Sequence, residues 1–275
     1  MRFPISLASY SFHAMRAQKT IDVFGYLEAT ASRYRNGYAD IWSGMLDSIE
    51  PAYIATVRRE MDRRDLKLAN LCVDGPCLWA DDADRREANR KDMLAYIECA
   101  NALGAATIRI DFGGRTGEMT EQGFDYIVAR YREYCDRCHD LGMKIGPENH
   151  WGWDKRFENL KKVQDAVDHP AYGLLLHLNY QDYDDFDRQC QPVLSSVMHA
   201  HVPANSIAFV KDMLRQLGNA GYAGALSVEH HSGAHELERV EWQLGALRCL
   251  LAELADEDSA QPARPDYFHT DVYYR

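Results

Sequence analysis

The chain has 275 residues, 46% of them apolar and 27% charged, which is enough sequence to bury a sizeable core in one large α/β domain or two modest ones. Its formal net charge of −11 is spread along the chain and argues against nucleic-acid partners, because neutralising phosphates takes clustered Lys and Arg. No window reaches the roughly 18 apolar residues of a membrane span, and MRFPISLASYSFHA has neither an apolar h-region nor a small-residue cleavage site, so a cytoplasmic protein without membrane contact is expected.

In chain order the apolar runs are RFPISLASYSF, GYADIW, KLANLCVDG, ATIRIDFGG, MKIGPEN, YGLLLHLN, SVMHAHV and GALSVEHH, spaced about 24 to 37 residues apart. Between them lie segments with apolar residues at three-to-four spacing, such as TIDVFGYLEATASRYR, PAYIATVRREMDRRD, NRKDMLAYIECANALG and RFENLKKVQDAVDHP, which predict amphipathic helices. Several end at a glycine just before the next run, as in ALGAATIRI and DLGMKIGPE. Strand alternating with helix eight times predicts a closed (β/α)8 TIM barrel. An open doubly wound sheet would carry a glycine-rich loop after an early strand, and SYSFHAMRA contains no glycine. One barrel domain is expected over residues 1–255. An aromatic, Pro-containing tail is expected over 256–275, packed on the barrel or on a partner subunit.

The seven cysteines form no disulfide framework, and the CxxC of Cys135 and Cys138 falls inside the helical pattern FDYIVARYREYCDRCHDLG. It is read as buried packing without zinc, since no second CxxC lies at finger spacing.

In such a barrel the chemistry is delivered by the C-terminal ends of the strands. Strand five ends at Glu148, strand six at His177, strand seven at His201 and strand eight at Glu229. Side-chain alternation puts Gly146 with Glu148, Leu175 with His177, His199 with His201 and Ser227 with Glu229, and these faces should point into the barrel mouth, because charge is costly beneath the helices. Two carboxylates and two imidazoles make a mixed N/O set suited to Mn²⁺, Zn²⁺, Co²⁺ or Fe²⁺. Arg109 and Asp111 share a face of strand four and are read as an internal ion pair, while His13, His230, His231 and His235 are read as rim residues.

The phrases PENH, DAVDHPAYGLLLHLNY, HAHV and SVEHH resemble those of the xylose isomerase-like superfamily of barrels. This is the sugar phosphate isomerase/epimerase group, which includes ketose 3-epimerases and inosose dehydratases. The resemblance runs from Phe3 to about His231. It implies a divalent metal, Mn²⁺ first with Zn²⁺, Co²⁺, Fe²⁺ or Mg²⁺ as alternatives, held by Glu148, His201, Glu229 and His177, the last standing where the family usually has Asp. Tyr180 replaces the second member of the usual DxxH pair, and HVPANSIAF lacks the Arg that epimerases carry after the strand-seven His, so ketohexose 3-epimerisation in particular is not implied.

The activity expected is abstraction of a proton next to a sugar carbonyl, giving isomerisation or epimerisation, with a lyase acting on a keto-sugar, 3-keto-glycoside or inosose as the alternative. By resemblance Glu148 and Glu229 would shuttle the proton, with His150 as a further acid or base. Trp42, Trp151 and Trp153 offer flat faces for a sugar, and Asp40, Asp74, Tyr180 and His231 complete the expected substrate contacts. A homo-oligomer is expected by analogy. An endonuclease IV-like enzyme would need a basic face that this acidic chain does not offer, and a non-catalytic barrel would fit if His177 and Tyr180 mark a lost site.

Overall fold

The computed structural model describes residues 3–114 and 117–259. Eight strands, β1 (Ile5–Ala8), β2 (Tyr38–Trp42), β3 (Lys67–Cys72), β4 (Thr107–Arg109), β5 (Lys144–Gly146), β6 (Leu174–His177), β7 (Val197–Pro203) and β8 (Leu226–Glu229), pair in parallel in the order β5-β4-β3-β2-β1-β8-β7-β6. The ring closes between β5 and β6 through single bridges at Ile145–Tyr172 and Glu148–Leu175. This is the expected (β/α)8 TIM barrel, each strand coinciding with one of the apolar runs.

The seam explains a glycine. A Cβ on Gly146 would sit 1.6 Å from the carbonyl oxygen of Gly173, so only a residue without a side chain lets β5 and β6 meet there. Beyond the bridges the Asn149 side chain takes over. Its Nδ2 donates to the His177 carbonyl at 2.9 Å and its Oδ1 accepts from the His177 N–H at 2.7 Å, which imitates a strand pair with one amide.

The main crossover helices are α2 (Val23–Glu28), α3 (Pro51–Asp62), α4 (Ala83–Leu103), α5 (Glu121–Asp140), α6 (Phe157–Val167), α8 (Lys211–Asn219) and α9 (Glu236–Ser259), with short α1 (His13–Ala17) and α7 (Phe186–Cys190) added in two loops. Local chemistry sets their ends. Asp82 caps α4 by accepting from the Arg85 N–H, and Gly104 ends it at φ 71°, the left-handed conformation a helix C-terminus favours. Helix α9 runs through Ser259, so the tail boundary expected at 256 falls inside a helix, and the rest of that tail lies outside the described residues.

Cys135 and Cys138 sit on the buried face of α5, and burial pushes both thiols up, Cys138 to about 12. Among the described residues no helix is long and apolar enough to cross a membrane.

Three buried polar side chains pin the strand ends that carry the site. The Tyr26 hydroxyl donates to the Leu7 carbonyl at 2.6 Å and accepts from the Asp40 N–H at 3.0 Å. The Tyr131 hydroxyl donates to the Ile110 carbonyl at 2.6 Å, and Gln243 of α9 donates to the carbonyls of Val202 at 2.6 Å and Glu229 at 3.2 Å. Each gives a backbone oxygen at or just beyond a strand end a buried donor.

Candidate active site

A cavity of about 250 Å³ opens among the C-terminal strand ends, lined in part by Tyr10, Asp40, Trp42, Asp74, Arg109, Glu148, His150, Trp151, His201, Glu229 and His231. Of the set read from the four strand ends, Glu148, His201 and Glu229 line its floor and His177 lies buried against them. His177 bridges two carboxylates, with Nδ1 3.1 Å from Glu148 Oε1 and Nε2 3.4 Å from Glu229 Oε2. His201 does the same with one nitrogen, Nδ1 lying 3.5 Å from Glu148 Oε1 and 3.3 Å from Glu229 Oε2. All four residues are buried.

The electrostatics follow from this packing. Burial alone would push the Glu148 carboxyl up, but His150, Arg109 and the two floor imidazoles hold it well below the usual range. Glu229 is likewise held down by His201, His231 and His177 against its burial. Burial pulls His201 down, and the charges of Glu229 and Asp40 outweigh it and raise it well above an ordinary imidazole.

Four buried atoms of this floor, Glu148 Oε2, His177 Nε2, His201 Nδ1 and Glu229 Oε2, have charged neighbours at 3.0–3.4 Å but complete no hydrogen bond of proper geometry. Buried polar atoms are seldom left so incompletely satisfied, and their lone pairs remain available to a ligand. A carboxylate–imidazole set of two oxygens and two nitrogens fits a divalent cation of the borderline class. Glu148, His177 and His201 offer ligand atoms within 4.8 Å of one another, as do His177, Glu229 and His231.

Behind the floor stands a second layer that strand alternation did not reveal. Asp40 of β2 reaches across the barrel interior to β7, its Oδ2 lying 2.8 Å from His199 Nε2 and 2.9 Å from His201 Nε2, while Oδ1 accepts from Asn70 at 3.1 Å. Asp40 was expected to bind hydroxyls. It lines the cavity with both oxygens already in contact with protein groups, and its place beside Nε2 favours one direction of the His201 ring.

Two further expectations are corrected by position. Trp153 does not line the cavity: it is buried against Trp79 with ring centroids 5.8 Å apart and fills the space over Gly114 and Gly123, where a Cβ would strike its ring. Tyr180 lies off the cavity against Phe186, centroids 4.7 Å apart, with burial and Asp187 raising its hydroxyl. Trp42, Trp151 and His231 do line it, and Asp74 does so with both oxygens engaged, by Arg109 and by Trp42.

His150 stacks on Trp151 at 4.0 Å, with Nδ1 3.4 Å from Asp111 Oδ2 and 3.6 Å from Glu148 Oε2. Arg109, expected as one half of an ion pair with Asp111, meets three carboxylates: Asp111 at 3.1 Å, Asp74 at 2.8 Å and Glu148 at 3.0 Å. At the rim His231 Nε2 lies 3.1 Å from Glu229 Oε2. Buried Glu236 ties the start of α9 to α1 by accepting from the N–H groups of Ala14 and Met15.

Fold and site together define an α/β-barrel protein with a metal-capable carboxylate–imidazole floor at its C-terminal mouth. The xylose isomerase-like TIM barrel family model matches residues 34–250, and the chain belongs to that family. A comparison with curated proteins by sequence returned no match. Among solved structures it is similar to an L-ribulose 3-epimerase (TM-score 0.74, 10% identity, 96% of this chain and 100% of that one). It is also similar to the probable 3-DHS dehydratase AsbF of Bacillus anthracis (TM-score 0.68, 16% identity, 90% and 99%). A third is a xylose isomerase-like TIM barrel protein of Mycobacterium smegmatis in complex with magnesium (TM-score 0.71, 16% identity, 90% and 98%). At these identities the likeness concerns the fold.

Proposed function

We propose that the protein is a divalent-cation-dependent carbohydrate enzyme that removes a proton next to a sugar carbonyl, of the isomerase or epimerase kind. One observation carries this reading: two buried, ionised carboxylates, Glu148 and Glu229, share the same two imidazoles at the floor of a cavity of about 250 Å³.

Glu148, His177, His201 and Glu229 would hold the cation, with Mn²⁺ the first choice. When bound, such an ion supplies Lewis acidity that lowers the pKa of a C–H beside a carbonyl. The remaining steps belong to the chain. A carboxylate kept unprotonated is ready to take a proton, and two of them on different strands allow removal on one face and return on another. His150 stands 3.6 Å from Glu148 and would relay its proton onward to Asp111 or to the open rim. Trp42, Trp151, Asp74 and His231 would form the walls against which the sugar rests.

A lyase is the second reading, supported by the His231–Glu229 pair. An imidazole at the exposed rim, 3.1 Å from the carboxylate that would abstract the proton, is placed to hand a proton to a departing hydroxyl or alkoxide. The likeness to a probable dehydratase is compatible with it.

Incubating the purified protein with a panel of keto-sugars, 3-keto-glycosides and inososes, with chelator or with added Mn²⁺, tests both. Equal mass with changed retention identifies an isomerase or epimerase, and loss of water or an aglycone identifies a lyase. Turnover that persists in chelator and in Glu229→Gln would contradict both.

A further inference from the structure

The cavity wall made by β3 and β4 is organised around one guanidinium. Arg109 is buried, and its Nη1 reaches Asp74 Oδ1 at 2.8 Å and Asp111 Oδ2 at 3.1 Å. Each of those carboxylates in turn holds an indole: Asp74 Oδ2 accepts from Trp42 Nε1 at 2.7 Å, and Asp111 Oδ2 accepts from Trp151 Nε1 at 2.9 Å. Trp42 lies at the end of β2 and Trp151 just after β5, so the two tryptophans flank this sector of wall. Trp42 is seated further by Gly44, where a Cβ would lie 2.2 Å from its ring, and by the edge-on ring of Tyr10 at 5.1 Å. An indole held by its N–H to a carboxylate that is itself locked to a buried cation gives up part of its rotameric freedom before any ligand arrives.

The same network settles the charge that the cavity presents. Arg109 is the single Lys or Arg among the described residues lining it, against the carboxylates of Asp40, Asp74, Glu148 and Glu229. Its guanidinium is already matched by three carboxylates, so it offers no unpaired cation to an anionic substrate. The rim imidazoles are likewise paired, His150 with Asp111 at 3.4 Å and His231 with Glu229 at 3.1 Å. Apart from the cation the floor would hold, a phosphate or carboxylate entering here would find no side-chain cation that is not already matched by a carboxylate.

Resting on the reading of the site as a sugar site, we propose that Arg109 is a positioning residue. Through Asp74 and Asp111 it holds Trp42 and Trp151 as two fixed walls for an uncharged sugar ring, and the cavity discriminates against phosphorylated and carboxylated sugars.

The test uses the full chain loaded with Mn²⁺. Tryptophan emission is followed while D-fructose and D-tagatose are added, with fructose 6-phosphate and glucuronate as the charged counterparts. The neutral sugars are expected to change the emission saturably, and the charged ones to bind at least about tenfold more weakly. Asp74→Ala, at a side chain 28% exposed and therefore tolerant of truncation, should raise the neutral-sugar Kd about tenfold while leaving the Mn²⁺ Kd within about twofold. On any sugar that turns over it should raise KM more than it lowers kcat. Arg109→Lys should weaken neutral-sugar binding more severely, but because Arg109 also pairs with Glu148 it should weaken Mn²⁺ as well, and the Asp74 variant therefore decides. Unchanged sugar affinity in Asp74→Ala, tighter binding of a charged sugar, or no emission change with any sugar while Mn²⁺ binds stoichiometrically would each overturn the proposal. Failure of Mn²⁺ to bind the wild type would instead overturn the reading beneath it.

Discussion

Asp40→Asn removes one charge and almost no volume, and its effect divides along the two histidines that Asp40 holds. In the wild type one carboxylate oxygen lies 2.8 Å from His199 Nε2 and 2.9 Å from His201 Nε2, all three groups being buried. A hydrogen bond to a charged partner contributes about 1.5–3 kcal/mol and a neutral one about 1, so the substitution should weaken each contact by about 1–2 kcal/mol. The His201 share falls on the floor of the site, because the direction of its other nitrogen depends on this bond. The expected loss in Mn²⁺ affinity is about tenfold to a hundredfold. The His199 share bears on stability alone and should lower the denaturation midpoint of the chelated protein as well. Calorimetric Mn²⁺ titration and urea unfolding, with and without chelator, measure the two separately. An unchanged Mn²⁺ affinity would refute the orienting role. Complete loss of binding would refute it from the other side, by making Asp40 itself a ligand.

Gly146→Ala should destabilise the barrel by at least about 3 kcal/mol in urea unfolding, because its Cβ would fall 1.6 Å from the Gly173 carbonyl and force the β5–β6 seam apart. Thiol titration of the native protein near pH 8 should show fast reaction at exposed Cys249 and slower reaction at half-buried Cys77. Cys135 and Cys138 should react only on unfolding, and rapid labelling of that pair would contradict their place in the core. Burial pushes the Glu133 carboxyl up, but Arg90 and Arg130 outweigh it and hold it below its ordinary value. Its contribution is therefore complete above the unfolded carboxyl pKa of about 4.3 and lost as pH falls through the lower folded value. Glu133→Gln should cost about 1 kcal/mol at pH 7 and nearly nothing at pH 2, and a cost independent of pH would contradict the assignment.

The barrel was legible because its order rests on local periodicity: each apolar run became a strand, and the three-to-four patterns became the crossover helices. The four floor residues were legible for a related reason, since the last inward position of a parallel strand is read from the strand itself. What escaped reading depends on contacts between strands distant in sequence. Asp40 was visible as an acid at a strand end, but its partners come from β7, 159 and 161 residues away and on the far side of the barrel. Arg109 was paired with Asp111 by alternation, while Asp74 and Glu148 reach it from neighbouring strands. Trp151 and Trp153 look equivalent two residues apart, yet the chain leaves extended geometry at Gly152 (φ 64°) and enters a 3₁₀ turn, which sends Trp153 into the wall against Trp79. Asn149 and Gln243 carried different amounts of signal. Nothing local marks an amide that closes a seam, but Gln243 falls among Val240, Leu244 and Leu247 on the buried face of α9, and a lone polar residue in such a stripe marks a hydrogen-bonded job.

In the function proposed, Glu148, His177, His201 and Glu229 would form one cation site on which the chemistry depends. Calorimetric titration of Mn²⁺ into the chelated protein and into folded Glu148→Gln and Glu229→Gln variants tests it most directly. One ion per chain in the wild type, and binding weakened about a hundredfold or more in either variant, is the result predicted. No stoichiometric binding in the wild type, or equal affinity in all three proteins, would contradict it.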